Sequence, residues 1–257
     1  SSECFWLYSS GSTGKPKGTI HIHKSLKNTS TYYAKKILKI TSEDIFFSAA
    51  KLFFAYGLGN ALTFPLSIGG TSILSKDRPT VEIVNNKIKH NNVTIFFGVP
   101  TLYAAMLNSN LKPEDFKSLR LSVSAGEALP EHLCSKWSKT IGSNVLDGIG
   151  STEMLHIFIS NYIDLITPGS SGKPVPGYEV RLMKEDNSEA DMNEIGELEV
   201  KGPTSAISYW NKPEKTKATF IGDWVKTGDK YTKDANGIYK YCGRSDCLLY
   251  TSPSPRD

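Results

Sequence analysis

A short stretch near the start of the sequence combines the residue types that bind phosphate groups. Residues 8–18 read YSSGSTGKPKG and directly follow an apolar run typical of a β-strand. Glycines let backbone N–H groups approach phosphate oxygens, hydroxyls donate further hydrogen bonds, and lysines neutralise charge. The stretch is not a Walker A loop, because Ser9 stands where its first glycine would be and Pro16 follows Gly14-Lys15. We predict a phosphate-binding loop rather than a merely flexible surface loop, formed by Ser9, Ser10, Gly11, Ser12, Thr13, Gly14, Lys15 and Lys17.

A second candidate site follows a predicted strand in the middle of the chain. Residues 147–153 read DGIGSTE, a glycine-rich turn that ends in a hydroxyl and a carboxylate. Mg²⁺ prefers carboxylate and phosphate oxygens, so Glu153 is a candidate Mg²⁺ ligand, and the Thr152 hydroxyl is able to donate to a phosphate. The alternative for Glu153 is an acid favoured at a helix N-terminus by the helix dipole. The candidate catalytic residues are Lys17, Thr152 and Glu153.

Strand-like and helix-like segments alternate up to about residue 165. The strand-like runs are 5–10, 44–50, 71–75, 92–99, 119–126 and 144–150, and the helix-compatible stretches are 24–39, 55–67, 80–90, 100–108 and 130–141. Helix starts are marked by Pro79-Thr80 and by Pro130-Glu131. The alternation predicts an α/β fold with a mostly parallel sheet layered with helices, which binds ligands in the loops at the carboxyl ends of its strands.

The pattern changes from about residue 170. Residues 177–183 and 196–202 alternate polar and apolar residues across a turn-rich segment, and residues 237–244 form another candidate strand. This pattern predicts a smaller antiparallel β subdomain. We therefore predict an α/β core at 1–168, a small β subdomain at 169–246 and a Ser/Pro-rich tail at 247–257.

The composition excludes several classes of protein. The 257 residues are 39% hydrophobic and 22% charged, which excludes coiled coils, collagens and disordered tails, and the net charge of +4 does not predict nucleic-acid binding. Residues 52–75 carry no charge and are long enough to span a bilayer, but their glycines and proline favour a buried helix, a Gly-Gly turn and a short strand over a membrane span. The cysteines form no CxxC pair, which favours a cytoplasmic protein without a disulfide framework or zinc site.

Five motifs in order give the sequence a resemblance to a known family. The loop at residues 8–18 resembles the phosphate loop of the adenylate-forming enzymes, which include acyl-CoA synthetases, peptide-synthetase adenylation domains and beetle luciferases. Residues 124–130 (SAGEALP) resemble the adenine-binding segment of this family, and residues 147–153 its GxGxTE motif. Residues 224–229 (WVKTGD) resemble the ribose-binding motif, and residues 241–246 (YCGRSD) the motif that precedes the hinge. The resemblance extends over roughly residues 3–246.

The resemblance implies a two-step activation of a carboxylic acid. The acid attacks the α-phosphate of ATP in the presence of Mg²⁺, pyrophosphate leaves, and the acyl group then passes to a thiol such as coenzyme A. Asp229 would accept hydrogen bonds from two ribose hydroxyls and Arg244 would bind ribose or phosphate oxygens, against the alternatives of a Gly-Asp turn and a surface ion pair. Besides the loop, the implied nucleotide-binding residues are Ala125, Gly126, Glu127, Asp147, Gly148, Ile149, Gly150, Ser151, Thr152, Asp229 and Arg244.

Two segments resemble a narrower group, the benzoate-CoA ligases and their hydroxybenzoate relatives. They are residues 48–60 (SAAKLFFAYGLGN) and residues 153–158 (EMLHIF). This resemblance implies a pocket for a small aromatic acid, in which small residues leave a flat slot and larger ones supply apolar walls. The implied pocket residues are Ala55, Tyr56, Ala125, Gly150, His156 and Ile157. Taken singly, Tyr56 and Ile157 are more often core residues and His156 a satisfied helix histidine.

Two departures from the family bear on activity. Family members have well over a hundred residues before the phosphate loop, and after the hinge they continue into a mobile C-terminal domain that carries an essential lysine. Here residues 247–257 (CLLYTSPSPRD) replace that pattern. The sequence therefore predicts a fragment of a ligase that is inactive in isolation. The alternatives are an adenylating enzyme for another acid or for a carrier-protein thiol, and a nucleotide-binding module without catalysis.

Overall fold

The computed structural model describes residues 2–10 and 16–245, which fold into strands and short helices. The strands are β1 (Glu3–Ser10), β2 (Pro16–Ile22), β3 (Ile45–Ser48), β4 (Thr71–Ile73), β5 (Ile95–Gly98), β6 (Leu121–Ser124), β7 (Asn144–Gly150), β8 (Ile157–Ser160), β9 (Lys173–Pro174), β10 (Glu179–Met183), β11 (Gly196–Lys201), β12 (Ser208–Tyr209), β13 (Phe220–Ile221), β14 (Trp224–Lys233) and β15 (Tyr239–Arg244). The α-helices are α1 (His23–Thr29), α2 (Ala55–Leu58), α3 (Phe64–Leu66), α4 (Val81–His90), α5 (Pro100–Leu107), α6 (Glu131–Ile141) and α7 (Pro213–Thr219).

A largely parallel sheet with the order β4-β3-β5-β6-β7-β8-β9 forms the centre of the molecule. The strands β4, β3, β5, β6 and β7 run parallel, and β8 and β9 are added antiparallel at one side. Successive side chains of a strand point to opposite faces, so Phe46 and Phe97 enter one core cluster and Phe47 and Phe96 the other. Because both faces are covered, the central strands β3 (IFFS) and β5 (IFFG) consist mainly of apolar residues. The predicted α/β fold is confirmed.

Helices begin and end where the local signals predict. The Thr80 side chain accepts a hydrogen bond from the Ile83 backbone N–H at the start of α4, at 3.3 Å. Helix α6 starts directly after Pro130 and ends at Gly142, whose φ of 79° is the left-handed conformation that glycine adopts without strain. Its buried residues Cys134, Trp137 and Ile141 lie on one face, which packs against the sheet.

The long uncharged segment is broken into short helical pieces. Helix α2 continues as a π-helical segment over Gly59–Thr63 and then as α3, and the chain turns at Gly69-Gly70 into β4. This is the predicted arrangement of a helix, a turn and a strand. Within the described ranges no helix is both long enough and apolar enough to cross a membrane. The helix predicted at 24–39 likewise divides into α1 and a π-helical segment over Ser30–Lys35.

The first predicted strand does not belong to the parallel sheet. β1 pairs antiparallel with β2, and β12 adds antiparallel to β2 in a separate three-stranded sheet. Only residues 11–15 separate β1 from β2. A parallel pair needs a crossover of about a dozen residues or more, whereas an antiparallel pair is closed by a short loop. The assignment of residues 5–10 to the alternating series was therefore wrong.

The C-terminal part forms the predicted antiparallel sheet. β10 pairs with β11 from Glu179↔Lys201 to Met183↔Glu197, and β11, β14, β13 and β15 complete the sheet. β9, at Lys173–Pro174, still belongs to the large sheet, and a bridge between Gly172 and Tyr239 links the two parts. The predicted tail at 247–257 lies outside the described residues.

Candidate active site

The carboxyl ends of β6 and β7 form the floor of a polar cleft. The two strands are parallel neighbours with Ser124 opposite Asp147, so the segments that leave them lie side by side. Gly126 leaves β6 with a φ of 97°, a conformation that permits a sharp turn only for glycine. The cleft has a volume of about 560 Å³ and is lined by Gly126, Glu127, Ala128, Gly148, Ile149, Gly150, Ser151, Ser171, Thr227, Asp229, Tyr231, Tyr241 and Arg244.

The opposite wall of the cleft comes from β14 and β15. Asp229 pairs with Arg244 across these strands, and the Arg244 Nη1 donates to Asp229 Oδ1 at 3.1 Å and to the Thr227 carbonyl at 3.2 Å. Gly228 has a φ of 75°, and a Cβ there would lie 3.0 Å from Arg244 Nη2. Four motifs distant in sequence, at 124–130, 147–153, 224–229 and 241–246, therefore meet around one cleft of suitable size for a small ligand.

Asp147 lies beneath this cleft and is not among its lining residues. Its Oδ2 accepts a hydrogen bond from the Leu129 backbone N–H at 3.3 Å, and its Oδ1 is buried without a partner among the described residues. Burial raises the pKa of Asp147 to about 8, against the opposing effect of the hydrogen bond from the Leu129 backbone N–H. The geometry thus places Asp147 as a support of the cleft floor.

Lys17 and Glu153 form a partly buried ion pair that includes a third residue. The Lys17 Nζ lies 2.7 Å from Glu153 Oε1. The Tyr209 hydroxyl donates to the same oxygen at 2.6 Å and accepts from Lys17 Nζ at 2.8 Å. Tyr209, which lies in β12, was not predicted as a site residue, because a Tyr in a short strand carries no signal of a polar role.

The environment of Glu153 keeps its carboxylate ionised. Burial alone would raise the pKa of Glu153, but the charge of Lys17 and the hydrogen bonds from Lys17 and Tyr209 outweigh it and lower the pKa below its ordinary value. Residues 151–156 form turns, so Glu153 does not begin a helix. The helix-dipole alternative is therefore excluded, and so is the description of His156 as a helix histidine.

The loop that carries Thr152 and Glu153 is attached to the rest of the molecule through its backbone. The Thr152 carbonyl accepts a hydrogen bond from His21 Nε2 at 2.7 Å, and the Glu153 carbonyl accepts one from the Ala206 N–H at 2.8 Å. Burial lowers the pKa of His21, against the opposing effects of that bond and of the Glu153 charge. The neutral His21 ring and the Ala206 backbone thus determine where this loop lies.

A second, mainly apolar cavity lies next to the polar cleft. It has a volume of about 620 Å³ and is lined by Ala49, Ala50, Lys51, Phe54, Tyr56, Arg78, Pro79, Val99, Thr101, Leu102, Ala125 and Gly126. Gly126 lines both spaces, so they meet at the end of β6. The Tyr56 hydroxyl donates to the carbonyls of Gly98 and Val123, each at 3.2 Å, which fixes its ring as one wall.

The predicted acid-pocket residues divide between the cavity and the layer behind it. Tyr56 and Ala125 line the cavity, Gly150 lines the polar cleft, and Ala55 begins α2 beside Tyr56. His156 is 3% exposed, with its ring centroid 5.6 Å from that of Tyr56 and its Nε2 3.0 Å from Asn60 Oδ1. Ile157 is buried in β8 and faces the core. His156 and Ile157 therefore lie outside the cavity lining, with His156 supporting the Tyr56 ring from behind.

Part of the predicted phosphate loop lies outside the described residues, namely Gly11, Ser12, Thr13, Gly14 and Lys15. The flanking positions are described. Ser10 ends β1 opposite Pro16 in β2, and the Ser9 hydroxyl is buried without a partner among the described residues. The strands β1 and β2 that flank these residues form a hairpin, and Lys17 in β2 of this hairpin contacts Glu153.

Known proteins resemble this chain over most of its length. The profile of the family described as AMP-binding enzyme matches residues 1–210. The chain belongs to this AMP-binding enzyme family. Its sequence is 55% identical over 251 residues to a benzoate–CoA ligase of Thauera aromatica, a match that covers 97% of this chain and 48% of that protein.

Solved structures of the AMP-binding family share the same fold. A benzoate CoA ligase from Burkholderia xenovorans LB400 matches with a TM-score of 0.93 and 50% identity, covering 98% of this chain and 51% of that one. An o-succinylbenzoate coenzyme A synthetase from Bacillus subtilis, solved in complex with ATP and a magnesium ion, matches with a TM-score of 0.86 and 29% identity over 97% of this chain and 51% of that one. The chain thus spans about half the length of these relatives.

Proposed function

We propose that this chain is the nucleotide- and acid-binding part of a ligase that activates a small aromatic carboxylic acid with ATP and transfers it to coenzyme A. The acid is benzoate or a close relative. The observation that carries the proposal is the junction of the polar cleft and the apolar cavity at Gly126. An acyl-adenylate needs such a pair of spaces, because its nucleotide is polar and its aryl group is apolar.

The polar cleft suits the nucleotide. The Asp229 carboxylate is an acceptor for two ribose hydroxyls, and Arg244 beside it at 3.1 Å supplies a cationic fork for ribose or phosphate oxygens. The segments 126–128 and 148–151 offer backbone groups at the carboxyl ends of β6 and β7. Ligands of open α/β sheets bind at this edge.

Lys17 and Glu153 suit the reaction at phosphorus. Displacement of pyrophosphate by a carboxylate requires the reactants to be aligned and the negative charge to be stabilised, and no protein nucleophile is needed. Glu153 is ionised, and its Oε2 makes no hydrogen bond with the described residues, so a divalent cation fits there. Mg²⁺ would neutralise charge on the phosphates. Lys17 would supply a second positive charge, and Thr152 a hydroxyl for the α-phosphate.

The apolar cavity suits a flat ring. Ala49, Ala50 and Ala125 contribute little volume, while Tyr56 and Leu102 supply larger walls. A benzoate-sized acid would bury most of its surface there. Two relatives are named as benzoate-CoA ligases, which supports an aromatic acid as substrate and coenzyme A as the acceptor.

Binding of a stable acyl-adenylate analogue to this chain tests the proposal. A benzoyl-sulfamoyl adenosine spans both spaces, so calorimetry should show tighter binding of it than of AMP. An octanoyl or glycyl analogue should show a much smaller increase in affinity over AMP, because neither acyl group is a flat ring that fills the apolar cavity. Equal affinities of the three acyl analogues would contradict the aromatic assignment, and failure of AMP itself to bind would contradict the nucleotide site.

Two variants test the apolar cavity and the polar cleft independently. Ala50→Leu fills the cavity at a residue that belongs to none of the nucleotide-binding motifs, and it should abolish the preference for the benzoyl analogue while AMP still binds. Asp229→Asn keeps the shape but removes the charge, and it should weaken AMP and all analogues together. Loss of AMP binding in both variants to the same extent would indicate general misfolding rather than two subsites.

A further inference from the structure

Tyr209 forms hydrogen bonds with both members of the Lys17–Glu153 ion pair. The three groups form a closed triangle of contacts at 2.6, 2.7 and 2.8 Å, and Lys17 Nζ also lies 4.4 Å from the centroid of the Tyr209 ring. A phenol both donates and accepts, so Tyr209 is able to donate to the carboxylate while it accepts from the ammonium group. Lys17 and Tyr209 both occupy Oε1 of Glu153 and leave Oε2 to other ligands.

The position of Tyr209 does not depend on Lys17 or Glu153. Tyr209 is 3% exposed and pairs with Thr19 in β2. Its backbone N–H donates to the Thr216 hydroxyl at 3.0 Å, and its ring packs edge-on against Phe220 with centroids 5.4 Å apart. The hydroxyl is therefore held by its own strand and by the segment around α7.

Lys17 has two possible anionic partners once a nucleotide is present. In the structure the Lys17 ammonium group pairs with Glu153. A polyphosphate carries more negative charge and more acceptor oxygens than one carboxylate, so it would compete for this ammonium group. If Lys17 turns to the phosphates, Glu153 loses one of the two donors that hold Oε1. The donor that remains is Tyr209.

We propose that Tyr209 is a positioning residue that holds Glu153 for a divalent cation when Lys17 binds the phosphates of the nucleotide. The Tyr209 hydroxyl would keep Oε1 in place and leave Oε2 to hold the cation. This inference rests on the proposed function, since it requires a nucleotide and a metal ion at the site. Groups that orient a metal-binding side chain commonly change metal affinity by about 10–100-fold.

Binding of Mn²⁺ in place of Mg²⁺ tests this role directly. The chain is saturated with a non-hydrolysable ATP analogue, and bound Mn²⁺ is measured from the loss of the electron paramagnetic resonance signal of the free ion. Tyr209→Phe retains the ring and its contacts with Lys17 and Phe220 but removes the hydroxyl. We expect Mn²⁺ to bind at least about tenfold more weakly to this variant. An unchanged Mn²⁺ affinity would contradict the inference.

A matched control removes a similar hydroxyl elsewhere. The Tyr162 hydroxyl donates to the Pro174 carbonyl at 2.6 Å, and Tyr162 lines neither cavity. Tyr162→Phe should leave Mn²⁺ affinity unchanged. If Tyr162→Phe weakens Mn²⁺ binding as much as Tyr209→Phe does, the effect is one of stability and the positioning role is refuted.

A second variant keeps the inference testable should Tyr209→Phe fold poorly. Lys17→Met leaves Tyr209 as the remaining donor to Oε1, so we expect Mn²⁺ affinity to be preserved even where the nucleotide analogue itself binds more weakly. Loss of Mn²⁺ affinity in Lys17→Met at saturating analogue would show that Lys17, and not Tyr209, holds Glu153. A wild-type chain that binds neither analogue nor Mn²⁺ would instead contradict the proposed function, and the inference with it.

Discussion

The ring of His156 packs against the ring of Tyr56 with centroids 5.6 Å apart, which joins the loop after β7 to α2. Tyr33 and Phe64 enclose the same imidazole, at 5.1 and 4.7 Å. Since Tyr56 lines the apolar cavity, a displacement of His156 alters the wall that an aromatic acid would contact. We therefore expect the residues around His156 to influence the proposed acid binding from behind the cavity.

Gly59→Ala should disturb acid binding without touching the nucleotide. A Cβ at Gly59 would lie 2.5 Å from Cδ2 and 2.8 Å from Nε2 of His156, and the enclosed ring has no free space into which to move. We expect a loss of stability of about 1–3 kcal/mol from overpacking, despite the better helix propensity of alanine. Calorimetry should show weaker binding of the benzoyl analogue and unchanged binding of AMP. In a His156→Ala background most of the stability cost should vanish, and only the closer approach to Phe64 Cζ, at 3.0 Å, should remain. An undiminished cost there would locate the clash elsewhere.

The stability of the chain should fall as the pH falls below about 6.5, in part because of His156. Burial lowers the pKa of His156 to about 3, whereas the unfolded residue titrates near 6.5. Between these values the unfolded state binds a proton that the folded state does not, so stability decreases with decreasing pH, by about 1.4 kcal/mol per pH unit at most. Denaturant unfolding of wild type and His156→Gln from pH 7.5 to 5 measures how the free energy of unfolding depends on pH. The stability gap between them should narrow as the pH falls, and a constant gap would show that His156 is accessible to protons.

Asp147 should have the opposite effect at higher pH. Its pKa is raised to about 8 by burial, so the folded state retains a proton that the unfolded state has lost above about pH 4. Stability therefore decreases as the pH rises from about 4 to 8. Asp147→Asn removes this dependence and should become progressively more stable than wild type between pH 5 and 8, as measured by denaturant unfolding. Parallel pH profiles of the two proteins would contradict the raised pKa.

Arg120→Met should strongly destabilise the edge of the large sheet opposite the cleft. Arg120 donates to both carboxylate oxygens of Asp44 at 2.7 Å, and it also donates to the Leu38 carbonyl. The Asp44 side chain is 4% exposed, so loss of Arg120 leaves a buried charge unpaired. We expect a cost of about 2–4 kcal/mol, below that of a fully buried pair because Arg120 itself is partly exposed.

The exposed pair of Lys39 and Asp164 provides the control for this measurement. It has a similar separation, 2.9 Å, but its side chains are 56% and 81% exposed. Lys39→Met should therefore cost less than about 1 kcal/mol. Equal effects of the two substitutions would show that burial does not determine the energy of the Arg120 pair.

The local sequence pattern was sufficient to predict those helices and strands whose signals lie within a few residues. Thr80 and Gly142 mark helix ends through their own hydroxyl and backbone conformation, and the apolar runs in β3 and β5 predict strands covered on both faces. β1 was misassigned because a strand's own residues do not specify its partner. β2 and β8 were not predicted at all, although alternation in PKGTIHI and the apolar run IFIS were visible.

The sequence by itself determined the family, the α/β architecture and the candidate residues Lys17, Glu153, Asp229 and Arg244, because each lies in a short motif whose chemistry is local. Only the tertiary structure decided that Tyr209 completes the Lys17–Glu153 pair, that Asp147 supports the cleft from below, and that His156 stands behind Tyr56. These relationships join strands and loops far apart in the chain. They depend on strand pairing and burial, which change the pKa and the available partners of a side chain without any change in the residues next to it.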